Sequence, residues 1–239
     1  MSPTVRNCID GINRLFLWLK QNQRVKVRSE PMKVNLGSGL TVTQGWLNVD
    51  SSLNALISNC PAFVVGLFYD LTSSRTWYTR EEYVRLIKGH TFIHHDLKFR
   101  LPFPDDSVDY FFTSHVIEHL FRVDAEGLLR ECLRCLKSSG RIRVCVPDLA
   151  TAVAEYLSGN KDRALDLFFT RSKEGYYSRH QYMYDFQMLV EMMKSIGFKD
   201  IQRFSFQHGL VPDVDKLDNR PDHTLFVEAA KQSRTENET

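Results

Sequence analysis

The segment HVIEHL, His115 to Leu120, places two histidines and a glutamate at a spacing that could support catalysis. Its H-x-x-E-H order is that of an inverted zinc-peptidase helix, in which two histidines bind the metal and the glutamate activates water. The same residues could instead lie where a buried strand turns into a helix beside a bound ligand. The elements that surround the segment decide between these two interpretations.

Short β-rich segments alternate with helical patterns, and several of the β segments are continuously apolar, as strands buried on both faces are. The seven predicted strands are MKVNLG, WLNVD, TFIHHD, VDYFFTSH, RIRVCVPD, IQRFSF and TLFVEAA. This alternation predicts an α/β fold with a doubly wound, mostly parallel sheet and helices on both faces. A loop with two prolines separates the last two strands, so we expect them to pair antiparallel at the edge of the sheet.

Capping residues mark several helix ends. Thr79 and Glu82 have the spacing of a capping box, and DFQMLVEMMKSIG begins with an N-cap aspartate and ends at a C-cap glycine. The leucine pattern of AEGLLRECLRCLKSSG predicts a helix that ends at Gly140. Within it, the CLRC pair has no second pair to complete a zinc site, so both cysteines are expected to be buried apolar residues.

The peptidase interpretation of HVIEHL requires both histidines to lie on one continuous helix. His115 instead ends the strongly β segment VDYFFTSH. His115 and His119 are therefore not expected to share a helical face, which excludes the peptidase site.

Ligands in such sheets bind at the carboxyl ends of the strands. The first strand runs into the glycine-rich NLGSG, whose backbone can approach a ligand closely. Asp50 at the end of the second strand could accept hydrogen bonds from ribose hydroxyls. Asp96 could accept from an adenine amino group, and Leu97 could cover the ring. The fourth strand ends in TSH, Thr113 to His115. Four consecutive strand ends thus finish in groups suited to a ligand.

With these segments in place, the chain resembles the class I S-adenosylmethionine-dependent methyltransferases, in particular the small bacterial and archaeal type with a methyltransferase-11-like core. The resemblance rests on KVNLGSG, GWLNVD, HHDLKFRLPFPDDSVDYFFTSHVIEHL, LLRECLRCLKSSGRIRVCVPDL and GFKDI, and spans about residues 32–231. It implies a seven-stranded, Rossmann-like methyltransferase sheet and S-adenosyl-L-methionine as the cofactor. Similar members often act in polysaccharide and cell-envelope pathways, so the implied acceptor is a small molecule or a saccharide.

The resemblance also implies roles for individual residues. The methionine part of the cofactor would be lined by Leu36, Gly37, Ser38 and Gly39. Asp50 would hold the ribose, and Asp96 and Leu97 would hold the adenine. Ser114 and His115 would face the sulfonium end. One departure is Asn35, which stands where the family commonly has an acidic residue. The short interval from Gly37 to Asp50 leaves little room for the usual helix between the first two strands.

Methyl transfer to a hydroxyl oxygen benefits from a base, and a histidine titrates near neutral pH. His115 is the first candidate because it closes the fourth strand, and His180 is the second. The resemblance places the acceptor beside the segment TRSKEGYYSRHQYMYD, which holds Tyr176, Tyr177, Arg179, His180, Tyr182 and Tyr184. These side chains suit a sugar ring or a phenol, and a packed tyrosine-rich lid is an equally good interpretation.

Some O-methyltransferases of ubiquinone and small-RNA pathways resemble HVIEHL, with E-x-x-E-H holding Mg²⁺ at the same place. Glu118 and His119 match the last two positions, but His115 replaces the first glutamate, which makes a poorer site for a hard cation. We favour a role for Glu118 in capping the helix N-terminus, with His119 packed beneath it. No metal ligand is predicted.

Composition bounds the remaining possibilities. The chain has 239 residues, a formal net charge of +2 and five cysteines, which predicts a reducing, cytoplasmic location and argues against a nucleic-acid partner. We predict an amphipathic N-terminal helix in residues 1–31, a methyltransferase domain in 32–231 and a polar tail in 232–239. The helix is expected to cover the core, and peripheral membrane contact is the alternative; the oligomeric state is left open.

Two other functions can be compared with methyl transfer. An NAD-dependent oxidoreductase would need G-x-G-x-x-G opening a long helix, and GSGLTVTQGW does not provide it. A non-catalytic S-adenosylmethionine- or nucleotide-binding protein with a decayed methyltransferase core stays open, although the ligand-suited residues at the four strand ends are all present.

Overall fold

The structure is a computed structural model that describes residues 3–26, 30–169 and 179–232. Its strands are β1 (Lys33–Leu36), β2 (Trp46–Asp50), β3 (Thr91–His94), β4 (Val108–Ser114), β5 (Leu136–Pro147), β6 (Lys199–Phe204) and β7 (Thr224–Ala230). They form one seven-stranded sheet in the order β3-β2-β1-β4-β5-β7-β6. Each of the seven predicted strands is present.

The helices are α1 (Pro3–Leu19), α2 (Leu53–Ile57), α3 (Ala62–Phe68), α4 (Arg80–Gly89), α5 (Arg122–Cys135), α6 (Leu149–Leu157), α7 (Lys161–Phe168), α8 (Phe186–Ile196) and α9 (Val214–Leu217). Short 3₁₀ turns lie at Tyr69–Leu71, Ser73–Thr76 and Ile117–His119. As the short interval predicted, no helix separates β1 from β2. Instead, α2, α3 and α4 all lie between β2 and β3.

The first five strands are parallel, and β7 is antiparallel to both β5 and β6. The expected antiparallel pairing of the last two strands is therefore confirmed. From β1 the chain moves outward through β2 and β3, then returns to place β4 on the other side of β1. This makes the gap above β1 and β4 the switch point, where ligands bind in doubly wound sheets.

Both faces of the sheet are covered. Successive side chains of a strand point to opposite faces, and the neighbours Phe111 and Phe112 of β4 lie in two different apolar clusters. The first cluster joins β4 to α5 and α8 through Leu129 and Leu189, among others. The second includes α9 through Leu217. Burial on two faces explains why the sequence of β4 is continuously apolar.

Predicted caps are confirmed at both ends of α8, where Asp185 accepts a hydrogen bond from the Met188 amide and Gly197 adopts a left-handed conformation. The Thr79–Glu82 capping box also forms. The predicted end of α5 at Gly140 is wrong. The helix stops at Cys135, and Leu136 begins β5 directly because its backbone pairs with Val108 of β4.

Helix α1 crosses the ends of β2 and β3. The Asn13 side chain donates a hydrogen bond to the Ser51 carbonyl at 2.8 Å and lies 2.9 Å from Nε2 of His94. Leu15 and Trp18 on its outer face are exposed. Among the described residues, no helix has both the length and the apolarity that a membrane crossing needs.

Candidate active site

The turn after β1 is built on two glycines. Gly37 and Gly39 have φ values of +63° and +51°, a left-handed region that residues with a side chain avoid. The Gly37 amide donates to the Val49 carbonyl at 2.8 Å. The space around Gly39 is open to 4 Å from an ideal Cβ position. The turn therefore brings bare backbone to the switch point.

Asp50 ends β2 next to this turn and is held in one orientation. One carboxylate oxygen accepts from the Gly39 amide at 2.8 Å, and the other accepts from the Ser52 amide at 2.7 Å. Each oxygen has a second lone pair, so the fixed carboxylate can also accept hydrogen bonds from a diol. This geometry suits the predicted contact with ribose.

Asn35, the departure from the family pattern, bonds to residues of the following loop and of β2. Its amide donates to the Thr41 carbonyl at 2.8 Å and lies 3.2 Å from Oδ1 of Asn48. The side chain is buried. Asn35 therefore fastens the loop between β1 and β2.

A first cavity opens at the switch point, beside the glycine turn. It is lined by Gly37, Asp50, Ser51, Asp96, Leu97, Lys98, His115, Val116, His119, Leu120, Phe121 and Gln181. The set combines a fixed carboxylate with apolar side chains that can cover a flat base. These residues therefore fit a nucleoside cofactor such as S-adenosylmethionine.

This cavity is lined by four of the predicted cofactor residues: Gly37, Asp50, Asp96 and Leu97. Leu36, Ser38, Gly39 and Ser114 are not among its lining residues. Leu36 is fully buried in the first apolar cluster. Its predicted contact with the methionine part would therefore have to come from its backbone.

His115 follows β4 in a left-handed conformation, with φ at +55°. Its side chain is mostly buried, with Nδ1 3.2 Å from Oε1 of Glu118 and Nε2 3.3 Å from the Thr224 hydroxyl. The Glu118 contact is close, but its geometry is not that of a hydrogen bond. No continuous helix joins His115 to His119, as the sequence predicted.

A second cavity lies on the other side of His115. It is lined by His115, Pro147, Asp166, Leu167, His180, Arg220, Asp222 and His223. His115 is thus part of the wall of both cavities. The two predicted catalytic residues, His115 and His180, both line the second one.

Glu118 does not have the predicted capping role. It lies in the 3₁₀ turn Ile117–His119, its side chain is fully buried, and neither carboxylate oxygen has a hydrogen-bond partner among the described residues. Helix α5 begins after Phe121 without a side-chain cap. The His119 ring has its Nδ1 3.2 Å from the Arg179 carbonyl oxygen. The capping prediction is wrong because the 3₁₀ turn separates Glu118 from α5.

The structure describes the tyrosine-rich segment from Arg179 onward. Tyr176 and Tyr177 fall outside the described residues. Tyr184 is buried in the core, where it packs against Tyr182 with ring centroids 5.1 Å apart. Tyr182 also stacks under the Arg122 guanidinium. These two tyrosines support the packing interpretation.

Cys132 and Cys135 are buried in the main core, as predicted. Burial raises the pKa of the Cys135 thiol to about 12, which keeps it protonated at neutral pH. All five cysteines of the chain are free.

Several cavity residues were missed by sequence reasoning, among them Phe121, Gln181, Arg220 and His223. Gln181 reaches the first cavity because its amide donates to the Glu118 carbonyl at 2.7 Å. Arg220 and His223 belong to the two-proline loop before β7. No local pattern could have found them, since their positions depend on long-range contacts.

Comparison with known proteins agrees with this geometry. Residues 52–144 match a family model described as a methyltransferase domain. The chain is 31% identical over 120 residues to a "probable S-adenosylmethionine-dependent methyltransferase" of Mycobacterium tuberculosis (strain ATCC 25618 / H37Rv). The aligned region covers 50% of this chain and 36% of the relative. A protein of the same description from Mycolicibacterium smegmatis is 29% identical over 154 residues, or 64% of this chain and 50% of the relative. The chain thus spans at most about half the length of these two relatives.

Solved structures show the same fold at low sequence identity. A "possible exported protein" from Bordetella parapertussis aligns with a TM-score of 0.51 at 12% identity. The alignment covers 93% of this chain and 68% of that protein. The S-adenosylmethionine-dependent methyltransferase SibL aligns with a TM-score of 0.50 at 14% identity, over 85% of this chain and 51% of its own. The sheet order and these solved structures show the class I methyltransferase fold, and residues 52–144 match the methyltransferase domain family.

Proposed function

We propose that the protein transfers a methyl group from S-adenosylmethionine to a hydroxyl oxygen of a small molecule or saccharide. The observation that carries this proposal is the position of His115, which lines both cavities. A group in such a position can act on a proton at the border between a cofactor and an acceptor.

The first cavity would hold the cofactor. Asp50, fixed by two backbone amides, would accept hydrogen bonds from the ribose hydroxyls, and Leu97 and Phe121 would cover the adenine. When bound, S-adenosylmethionine supplies a methyl group on a positively charged sulfur, which an oxygen can take in one displacement. The protein then has mainly to orient the acceptor and exclude water.

The second cavity would hold the acceptor. Its wall combines hydrogen-bonding groups, including Arg220 and His223, with the apolar ring of Pro147. Such a mixture suits a hydroxylated molecule. His115 would accept the hydroxyl proton at a ring nitrogen as the oxygen forms its bond to the methyl carbon.

The test is a methyl-transfer screen of sugars and phenols, with mass spectrometry to detect both the methylated acceptor and S-adenosylhomocysteine. We expect both products in equal amounts with at least one hydroxylated acceptor. Tight binding of S-adenosylmethionine without transfer to any acceptor would favour the non-catalytic alternative. Calorimetry that shows no binding, or a preference for NAD, would contradict the proposal.

A further inference from the structure

Three side chains near the border of the two cavities form a compact group of metal-binding type. One ligand atom each from Glu118, His119 and His180 lies within 4.8 Å of the other two. His119 lines the first cavity and His180 the second. The group therefore lies between the proposed cofactor and acceptor sites.

Among the described residues, the Glu118 carboxylate has no lysine or arginine as a charge partner. Both of its oxygens are buried and make no hydrogen bond to a residue that the structure describes. Its close ionic neighbours in the described part of the chain are imidazoles, with Nδ1 of His115 at 3.2 Å and Nε2 of His119 at 3.8 Å. A buried carboxylate without a hydrogen bond is costly, and a cation bound beside it would offset that cost.

Backbone carbonyls orient both histidines of the group. Nδ1 of His119 lies 3.2 Å from the Arg179 carbonyl oxygen, and Nδ1 of His180 lies 2.8 Å from the Leu167 carbonyl oxygen. A carbonyl only accepts, so each Nδ1 carries the proton and each neutral ring keeps its Nε2 lone pair free. Metal-binding histidines are held in this way, by a carbonyl or carboxylate on the other ring nitrogen.

Protonation of the histidines is a less suitable source of the positive charge. The rings of His119 and His180 lie with their centroids 5.0 Å apart. Two imidazolium ions at that distance would repel each other. One metal ion would neutralise the carboxylate and use both free Nε2 atoms at the same time.

The backbone brings the two ligand segments together. The Glu118 carbonyl accepts hydrogen bonds from the amides of Gln181 at 2.7 Å and Tyr182 at 3.2 Å. This pairing fastens the chain that follows His180 onto the 3₁₀ turn that carries Glu118 and His119. These backbone hydrogen bonds therefore bring the three ligands together, and their proximity does not depend on a bound ion.

We propose that Glu118, His119 and His180 bind a divalent transition-metal ion of the zinc type. Two imidazoles and one carboxylate favour such borderline ions over Mg²⁺, which prefers oxygen ligands. Three protein ligands leave a coordination position open for a water or a hydroxyl group. On the basis of the proposed function, that position would receive the acceptor hydroxyl and ease the loss of its proton.

The test uses the untagged full chain, stripped with a chelator and dialysed. Zn²⁺ binding is measured by calorimetry, and Co²⁺ binding by its visible absorption bands, both without cofactor. We expect one ion per chain. Glu118→Gln, which keeps the side-chain shape, and His180→Ala should each weaken binding at least tenfold, while the exposed control His208→Ala should not change it.

Absence of stoichiometric binding to the wild type would overturn the proposal. So would unchanged affinity in both Glu118→Gln and His180→Ala, and circular dichroism would show that each variant is folded. Calorimetry with S-adenosylmethionine on the stripped chain separates this result from the proposed function. Cofactor binding without metal binding would contradict the metal site alone, and the opposite result would contradict the methyltransferase proposal alone.

Discussion

Gly37 and Val116 lie so close that a methyl group on Gly37 would be 2.3 Å from Cγ2 of Val116. Gly37 belongs to the turn after β1, and Val116 follows His115 at the end of β4. This close packing holds together the ends of β1 and β4, which flank the switch point. A side chain at position 37 would push them apart at the candidate cofactor cavity.

Gly37→Ala should therefore destabilise the fold by about 1–3 kcal/mol through the clash and the positive φ together. Urea unfolding measures this loss. Gly127→Ala is the matched control, because Gly127 lies in α5 with open space around it, and alanine there should stabilise by roughly 0.5–1 kcal/mol. Adding Val116→Ala to Gly37→Ala should recover only part of the loss, because the φ strain remains; full recovery would mean that the clash alone matters.

Asp50→Asn should weaken S-adenosylmethionine binding by roughly 1–3 kcal/mol, or about 5- to 150-fold, because a neutral amide is a weaker acceptor than a fixed carboxylate. Calorimetry measures the change. Asp10→Asn on the exposed surface of α1 controls for the change of net charge. Equal affinities for the wild type and Asp50→Asn would remove Asp50 from the cofactor site.

His115→Ala should lower kcat by about 10²–10⁴-fold if His115 accepts the hydroxyl proton. The cofactor Kd should stay nearly constant, because other residues of the first cavity hold the nucleoside. Steady-state kinetics and calorimetry on the same preparations separate the two effects. A parallel loss of cofactor affinity would make His115 a binding residue, and an unchanged kcat would mean that orientation alone supports transfer.

Tyr184→Phe should be neutral or stabilise the fold by up to about 1 kcal/mol, because the Tyr184 hydroxyl is buried and has no hydrogen-bond partner among the described residues. Tyr83→Phe is the matched control. Its hydroxyl is also in the interior but donates to Oδ1 of Asn54 at 2.8 Å, so its removal should cost about 1 kcal/mol. Thermal unfolding measures the stability of both variants. A lower stability for Tyr184→Phe than for Tyr83→Phe would contradict this account.

Stability should fall as the pH decreases from about 6.5 to about 4. Burial, aided by the nearby charge of Lys20, lowers the pKa of His94 from 6.5 to about 4. In that range the unfolded chain binds a proton that folded His94 does not, so acid favours unfolding. Urea unfolding at pH 7 and pH 4.5 should show a smaller loss for His94→Gln than for the wild type.

The neighbouring His95 also has a pKa lowered by burial, so part of the pH dependence should remain in His94→Gln. An identical pH dependence in the variant and the wild type would show that His94 is not the group that titrates.

Local sequence determined much of the architecture. The apolar runs predicted seven strands because a strand buried on both faces has to be apolar at successive positions, as at Phe111 and Phe112. Asp185 and Gly197 predicted both ends of α8, since a cap depends on residues within one turn. The strand-end rule similarly predicted that Asp50, Asp96 and Leu97 would meet at one cavity.

Tertiary structure decided what lies between those strand ends. The sequence assigned Glu118 to a helix cap, because nothing local shows that a 3₁₀ turn separates it from α5. The end of α5 was also misplaced, since Leu136 leaves the helix to pair with Val108. His180 meets Glu118 and His119 only because the Gln181 and Tyr182 amides bond to the Glu118 carbonyl. Such long-range contacts depend on how the whole chain packs, which local patterns of residues do not encode.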